Sequence, residues 1–170
     1  MLPSVSLPSA KVVSPAATAE ALPAEEEGAS VAAWKGFRNF RVERKMFEDT
    51  DQSICSFYLC PEDGQPLPSF LPGQFLTFRL DVALAAEGTE SIVRCYSLSD
   101  APRPDAYRVS IKRVPAPSGS DYPPGRSSGY FHDHVAVGSQ LQVRSPAGHF
   151  HIDRSDAPVV LIAGGITADH

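Results

Sequence analysis

Alternation of apolar and polar residues dominates the middle of the chain. In "YRVSIKRV", Tyr107, Val109 and Ile111 interleave with Arg108, Ser110 and Lys112, the period of two that turns one face of a strand inward and the other outward. Short runs of β-like character start near Phe37: "FRNFRVERKMF", "SICSFYLC", "QFLTFRLDV" and "SIVRCYSL" precede that segment, and "SQLQVRSP", "GHFHI" and "PVVLIAGG" follow it. Proline-rich stretches at residues 61–72 and 115–124 separate the runs, supplying turns and forbidding a continuous ladder. The pattern predicts an antiparallel all-β domain, and six or more strands in this length favour a small closed barrel over an open sheet. One internal segment reads as helical. "SSGYFHDHV" opens with a hydroxyl able to cap a helix and carries Tyr130, Phe131 and Val135 to anchor one side, for two turns at most.

Both ends depart from this pattern. Residues 1–33 are rich in Ala, Pro, Ser and Glu and hold no aromatic side chain. They offer too little apolar area to offset chain entropy, so a disordered tail is expected, with Pro15 and Pro23 interrupting any helix. "PVVLIAGG" is an unbroken apolar run ending in two glycines, the form of a buried parallel strand that leads into a phosphate-binding turn.

Charge and composition narrow the function classes. A formal net charge of -5 over 170 residues, with no block of Lys and Arg, argues against a nucleic-acid binder, which needs a concentrated basic face. The longest apolar stretch, at residues 159–163, is far shorter than the roughly 20 residues that cross a bilayer. No signal-peptide pattern opens the chain, and Glu25, Glu26 and Glu27 are wrong for a transit peptide. Three cysteines cannot all pair, and Cys55 and Cys60 lie five apart in a strand, on opposite faces. Neither a disulfide nor a shared metal is expected, and reduced thiols fit a cytoplasmic location. His132 with His134, and His149 with His151, form His-x-His pairs, but no further ligand stands at a suitable spacing, so no metal site is expected.

Two features carry candidate chemistry. In "RCYSLSD", Arg94 supplies a planar fork of donors suited to phosphate oxygens, and Tyr96 follows two residues along the same face. Strict alternation turns Ser97 the other way, so it joins them only through its backbone N–H or a twist at the strand end. In "PPGRSSGYF", Gly125 and small residues before a helix start leave amide N–H groups at a positive helix end. Each also reads as an ordinary strand end or capped loop. Together they could clamp a pyrophosphate from two sides.

"LPGQF", "RCYSLSD", "YRVSIKR", "GRSSGYFHDHVAVGS", "SPAGHF" and "PVVLIAGGI", in that order, resemble the flavin-binding domain of the ferredoxin-NADP reductase superfamily. The likeness spans residues 37–166 and is greatest to the reductase part of flavohaemoglobins and of bacterial ferredoxin-linked oxygenase reductases. It implies a six-stranded antiparallel Greek-key barrel with one short helix, holding FAD. By that resemblance Arg94 pairs with the pyrophosphate, Tyr96 lies along the isoalloxazine and ribityl chain, and Ser97, the catalytic contact, approaches flavin N5. Cys95 contributes backbone, its thiol serving packing. Gly125, Arg126, Ser127 and Ser128 match the phosphate loop. Phe75 stands where flavohaemoglobins carry tyrosine, so a ring contact persists without a hydroxyl. Ile111 and Lys112 match the strand beside the flavin, where Lys112 reads equally well as a solvated charge.

The implied division is a tail at 1–33, an FAD-binding barrel at 34–155 and, at 156–170, the first strand of a truncated NAD(P)-binding domain. After "AGGI" the chain reads Thr167, Ala168, Asp169 and His170 in place of the family's Gly-x-Thr-Pro, which leaves that strand an orphan. The expected function is an FAD-binding oxidoreductase domain that passes electrons from NAD(P)H through flavin to an acceptor, incomplete without an NAD(P)H-binding domain or subunit in trans. The alternative is a non-catalytic flavin-binding or empty β-barrel module that docks to a partner protein.

Overall fold

The structure, a computed structural model, describes residues 33–83 and 88–150 together with Pro158 and Val160. Six strands and one helix follow in order: β1 (Arg38–Phe47), β2 (Ile54–Pro61), β3 (Phe75–Ala83), β4 (Thr89–Ser97), β5 (Tyr107–Lys112), α1 (Arg126–His134) and β6 (Gln140–Ala147). The strands form one sheet in the order β4-β3-β6-β1-β2-β5, with every neighbouring pair antiparallel. β6 returns between β1 and β3, which gives the expected Greek-key connection. The expected tail and the 156–170 strand lie outside the described residues, apart from residue 33 of the tail and Pro158 and Val160 of the strand.

The sheet curls into a half-barrel whose closure is slighter than the alternation predicts. β4 and β5 meet only at a bridge between Leu98 and Val109, beside a 3.0 Å bond from the Ser99 N–H to the Arg108 carbonyl. α1 explains the open seam, because it lies across the gap. Its Phe131 is fully buried and meets Phe57 of β2, Phe78 of β3 and Tyr96 of β4 edge-on, with ring centroids 5.2, 5.3 and 5.2 Å apart. On β5 the Ile111 carbonyl accepts a 2.9 Å bond from Nε2 of buried His132. Lys45 of β1 donates to the carbonyls of His132 and Val135 at 2.8 and 2.7 Å, satisfying two groups that a helix C-terminus leaves open and placing a cation at its negative end.

Period-two burial is clearest in β3 and β5, as the sequence predicts. Leu76, Phe78, Leu80 and Val82 of β3 face the core, as do Tyr107, Val109 and Ile111 of β5. Cys55 lies in the core, while the Cys60 thiol turns away and donates to Glu43 at 3.0 Å. Trp34 precedes β1 and donates its indole N–H to the Val143 carbonyl at 3.1 Å, tying the incoming chain to β6.

The run "GHFHI" is a correction. Among the described residues the sheet ends at Ala147, and His149 and Phe150 lie outside any strand. Gly148 leaves the ladder at a φ of 122°, a conformation that residues with a Cβ rarely adopt, and a Cβ there would stand 3.1 Å from the Phe75 ring. His151 lies outside the described residues. His132 and His134 diverge on α1, the first buried and the second exposed.

Phe131→Ala should lower the unfolding free energy by about 3–5 kcal/mol, the range for emptying an aromatic core site. Urea denaturation checks it; a loss under about 1 kcal/mol would show that α1 is held by other contacts.

Candidate functional site

Pairing with β3 sorts the residues of "RCYS" onto two faces. Arg94 stands opposite Phe78 and Tyr96 opposite Leu76, whereas Cys95 faces Thr77 and Ser97 faces Phe75. Paired residues share a face of the sheet, and Phe78 and Leu76 are buried. Arg94 and Tyr96 therefore project on the core side, toward α1, while Cys95, Ser97 and Phe75 project outward. The divergence that strict alternation predicts for Ser97 is what the fold contains.

Tyr96 links the strand to the helix. Its hydroxyl lies 2.7 Å from Ser127 Oγ, and its ring packs edge-on against Phe78 and Phe131. Burial raises the phenol pKa above its usual value, opposed by the Ser127 hydrogen bond and the Arg94 charge. Arg94 is exposed. Its Nη1 donates to the carbonyl of neighbouring Val93 at 2.8 Å, and no carboxylate among the described residues pairs with it. A guanidinium without a counter-ion remains open to an anion.

The head of α1 differs from the serine-capped start that the sequence predicts. Gly125 is the N-cap, with φ -60° and ψ 111°, and no side chain caps the helix. The two serines fall within the first turn, where they do other work. Ser128 Oγ donates to the Gly125 carbonyl and accepts from the Val114 N–H, both at 3.1 Å. The Gly125 N–H in turn donates to the Val114 carbonyl at 2.9 Å. A Cβ on Gly125 would fall 2.7 Å from Ser128 Oγ and 2.8 Å from Val114 Cβ, so only glycine fits this cap. The first backbone bond of the helix runs from the Gly129 N–H to the Gly125 carbonyl at 2.9 Å. That leaves the amides of Arg126, Ser127 and Ser128 with no intrahelical acceptor, at the positive end of the helix dipole. Ser128 spends its hydroxyl inward, so its N–H is what it can offer a ligand.

The other predicted positions contribute unequally. The Ile111 side chain is buried in the core and its carbonyl is taken by His132, so it gives the site no side chain. Lys112 is exposed. Cys95 is a correction to the expectation that its thiol packs: it is exposed, with Sγ 3.5 Å from Thr77 Oγ1, because it falls on the outward face. It helps line a concavity of about 740 Å³ with Trp34, Phe75, Thr77 and Arg144. Arg126 is ion-paired at 2.8 Å with Glu90 of β4, a residue sequence reasoning missed. The available signal was its register, since Glu90 lies an even number of residues before Arg94 and Tyr96 and so shares their face.

Arg94, with no carboxylate partner among the described residues, shares a strand face with Tyr96, which bonds a helix head with three open amides; both features suit the oxygens of a phosphate group. The sequence profile of the oxidoreductase FAD-binding domain matches residues 39–152. The chain belongs to that family. It is 46% identical over 144 residues to a flavohemoprotein of Bacillus thuringiensis subsp. konkukian, covering 84% of this chain and 34% of the relative. It is also 46% identical over 133 residues to a flavohemoprotein of Pseudomonas aeruginosa, covering 78% and 30%. The chain thus spans about a third of the length of these curated relatives. Among solved structures, the flavohem-like FAD/NAD binding domain of nitric oxide dioxygenase from Vibrio cholerae superposes with a TM-score of 0.62 at 32% identity, over 73% of this chain and 49% of that one. The FAD-binding domain family is thereby established from sequence and fold together.

The site's chemistry yields two expected outcomes. The native protein should show one fast thiol toward Ellman's reagent, Cys95. Burial holds Cys55 back, and burial with the Glu43 bond pushes the Cys60 thiol up to about 12. Cys95→Ser should abolish the fast phase, and its survival would place the reactive thiol elsewhere. Second, Tyr96 favours its neutral form in the fold. Its contribution to stability is complete below the unfolded value of about 10 and is lost as pH rises through the higher folded value. Tyr96→Phe should flatten that alkaline loss in denaturation measured against pH; an unchanged slope would assign it to other groups.

Proposed function

We propose that this chain is an FAD-binding oxidoreductase domain that takes electrons from NAD(P)H and delivers them to an acceptor. The observation that carries the reading is the junction of β4 and α1, where Arg94 has no carboxylate partner among the described residues and Tyr96 is tied at 2.7 Å to Ser127, in a helix head with open amides. Family membership makes FAD the natural occupant. When bound, FAD supplies the hydride acceptor and the store from which electrons leave singly or in pairs.

Each residue then has a physical task. Arg94 pairs with phosphate oxygens from the strand side, and the amides of Arg126, Ser127 and Ser128 meet them from the helix side. Gly125 and Ser128 keep that turn in shape through the bonds to Val114. Tyr96, its edge held by Phe78 and Phe131, offers ring surface to the isoalloxazine. Ser97 and Phe75 stand opposite one another on the outward face, so Ser97 would approach the ring's reactive edge through its backbone N–H at the strand end, with Cys95 likewise contributing backbone and Lys112 a solvated charge. Ile111 supports the strand without touching the ligand. NAD(P)H would be presented by a nicotinamide-binding domain or subunit, and the relatives named flavohemoprotein make a haem the first acceptor to try.

Incubation with FAD followed by desalting should leave near-stoichiometric flavin in the visible absorption spectrum. A folded but colourless protein would favour the empty-module alternative. Arg94→Ala should weaken FAD binding by about 2 kcal/mol, the scale of a hydrogen bond to a charged group. Equal affinity of variant and parent in a fluorescence titration would remove Arg94 from the site.

A further inference from the structure

The core-side face of β4 carries one residue whose charge opposes an anion. Glu90, Ile92, Arg94 and Tyr96 stand opposite Val82, Leu80, Phe78 and Leu76, all of them buried, so the four share a face. Its two ends are fastened to successive residues of α1. Glu90 Oε2 holds Arg126 Nη1 at 2.8 Å, and the Tyr96 hydroxyl holds Ser127 Oγ at 2.7 Å. Arg94 lies between the two ties. The strand face and the helix start tied to it thus carry two guanidiniums, Arg94 with no carboxylate partner among the described residues and Arg126 already paired.

We propose that Glu90 is an electrostatic latch on Arg126, a positioning residue that sets the affinity and salt dependence of the site for a diphosphate. The inference rests on the flavin reading above and deepens it. The pair is half-exposed, with side-chain exposures of 43% for Arg126 and 49% for Glu90, and an exposed pair of this kind is held only weakly. A ligand with two negative charges can take Arg126 from a single carboxylate held so weakly. Until it does, the Glu90 charge repels the incoming anion and occupies a cation the anion could use. Binding a diphosphate thus requires the exchange of one counter-ion for another, which disfavours ligands with a single negative charge. A merely structural Glu90, fastening the hairpin to the helix, would instead help binding and would do so without regard to salt.

The test is a set of FAD fluorescence titrations on the parent, Glu90→Gln, Arg126→Gln and the double variant, at low ionic strength and at about 0.3 M salt, where the screening length falls well below 10 Å. At low salt Glu90→Gln should bind about 3- to 10-fold more tightly and Arg126→Gln more weakly by a similar factor, with the double variant near the parent. The gain should vanish at high salt. An unchanged or weakened Glu90→Gln, or a gain that survives high salt, overturns the latch. Circular dichroism melts confirm folding, and Glu90→Ser repeats the measurement should the glutamine variant melt early. Inorganic pyrophosphate is the second probe. If the parent takes up no FAD, the flavin reading fails and the latch is judged by thermal shift alone: pyrophosphate raising the melting temperature of Glu90→Gln more than that of the parent upholds it, and equal shifts overturn it.

Discussion

Phe131 reaches from the helix to three rings on three different strands, and every feature of the candidate site depends on where that contact holds α1. A half-barrel of six strands has an opening wherever its terminal strands fail to pair, and here β4 and β5 are joined by a single bridge, at Leu98 and Val109, with Ser99 bonded beside it. An aromatic side chain is large enough to fill such an opening and gains further from edge-on contact with Phe57, Phe78 and Tyr96. Seating the helix there aims its N-terminus along the core-side face of β4. Tyr96 meets the helix head at Ser127 for that reason, with Arg94 beside it on the same strand face.

Polar contacts then fix what the apolar contact places. At the far end Lys45 takes up two helix carbonyls and His132 bonds across to β5, so the helix is fastened to both β1 and β5. At the near end Ser128, Gly125 and Val114 form a closed set of three bonds that uses up a side-chain oxygen and leaves the amides outside it. A side chain that capped those amides would compete with a ligand for them. A glycine cap with an inward-turned serine holds the turn without occupying its donors, which is the arrangement an anion site needs.

Much of this was legible in the sequence, and the failures have particular causes. Period-two alternation located the six strands because β3 and β5 each bury one face cleanly. "GHFHI" has the same texture, but Gly148 takes a backbone conformation that ends the ladder, and alternation carries no record of φ. The seam between β4 and β5 could not be read, since it depends on a helix packing that joins residues far apart in the chain. Capping was misplaced by local reasoning: Ser127 and Ser128 have the chemistry of a cap, yet each found a partner outside the helix terminus, in Tyr96 and in Val114. Cys95 was expected to pack because cysteine is so often buried, and position overrode composition, as it sits between two core-facing residues and must point outward.

The charge arrangement extends the same logic to function. Arg94 stands on β4 and Arg126 on α1, and they differ in what holds them: among the described residues the first bonds its own chain neighbour, the second a carboxylate. Two unpaired guanidiniums beside a helix N-terminus would concentrate positive charge in one place and attract many anions. Pairing one of them keeps the empty head closer to neutrality while leaving its full strength available to a ligand able to displace the carboxylate. Selectivity for a diphosphate can then come from the counter-ion as much as from the residues that touch it, and Glu90, distant in sequence from α1, becomes part of the recognition through the fold alone.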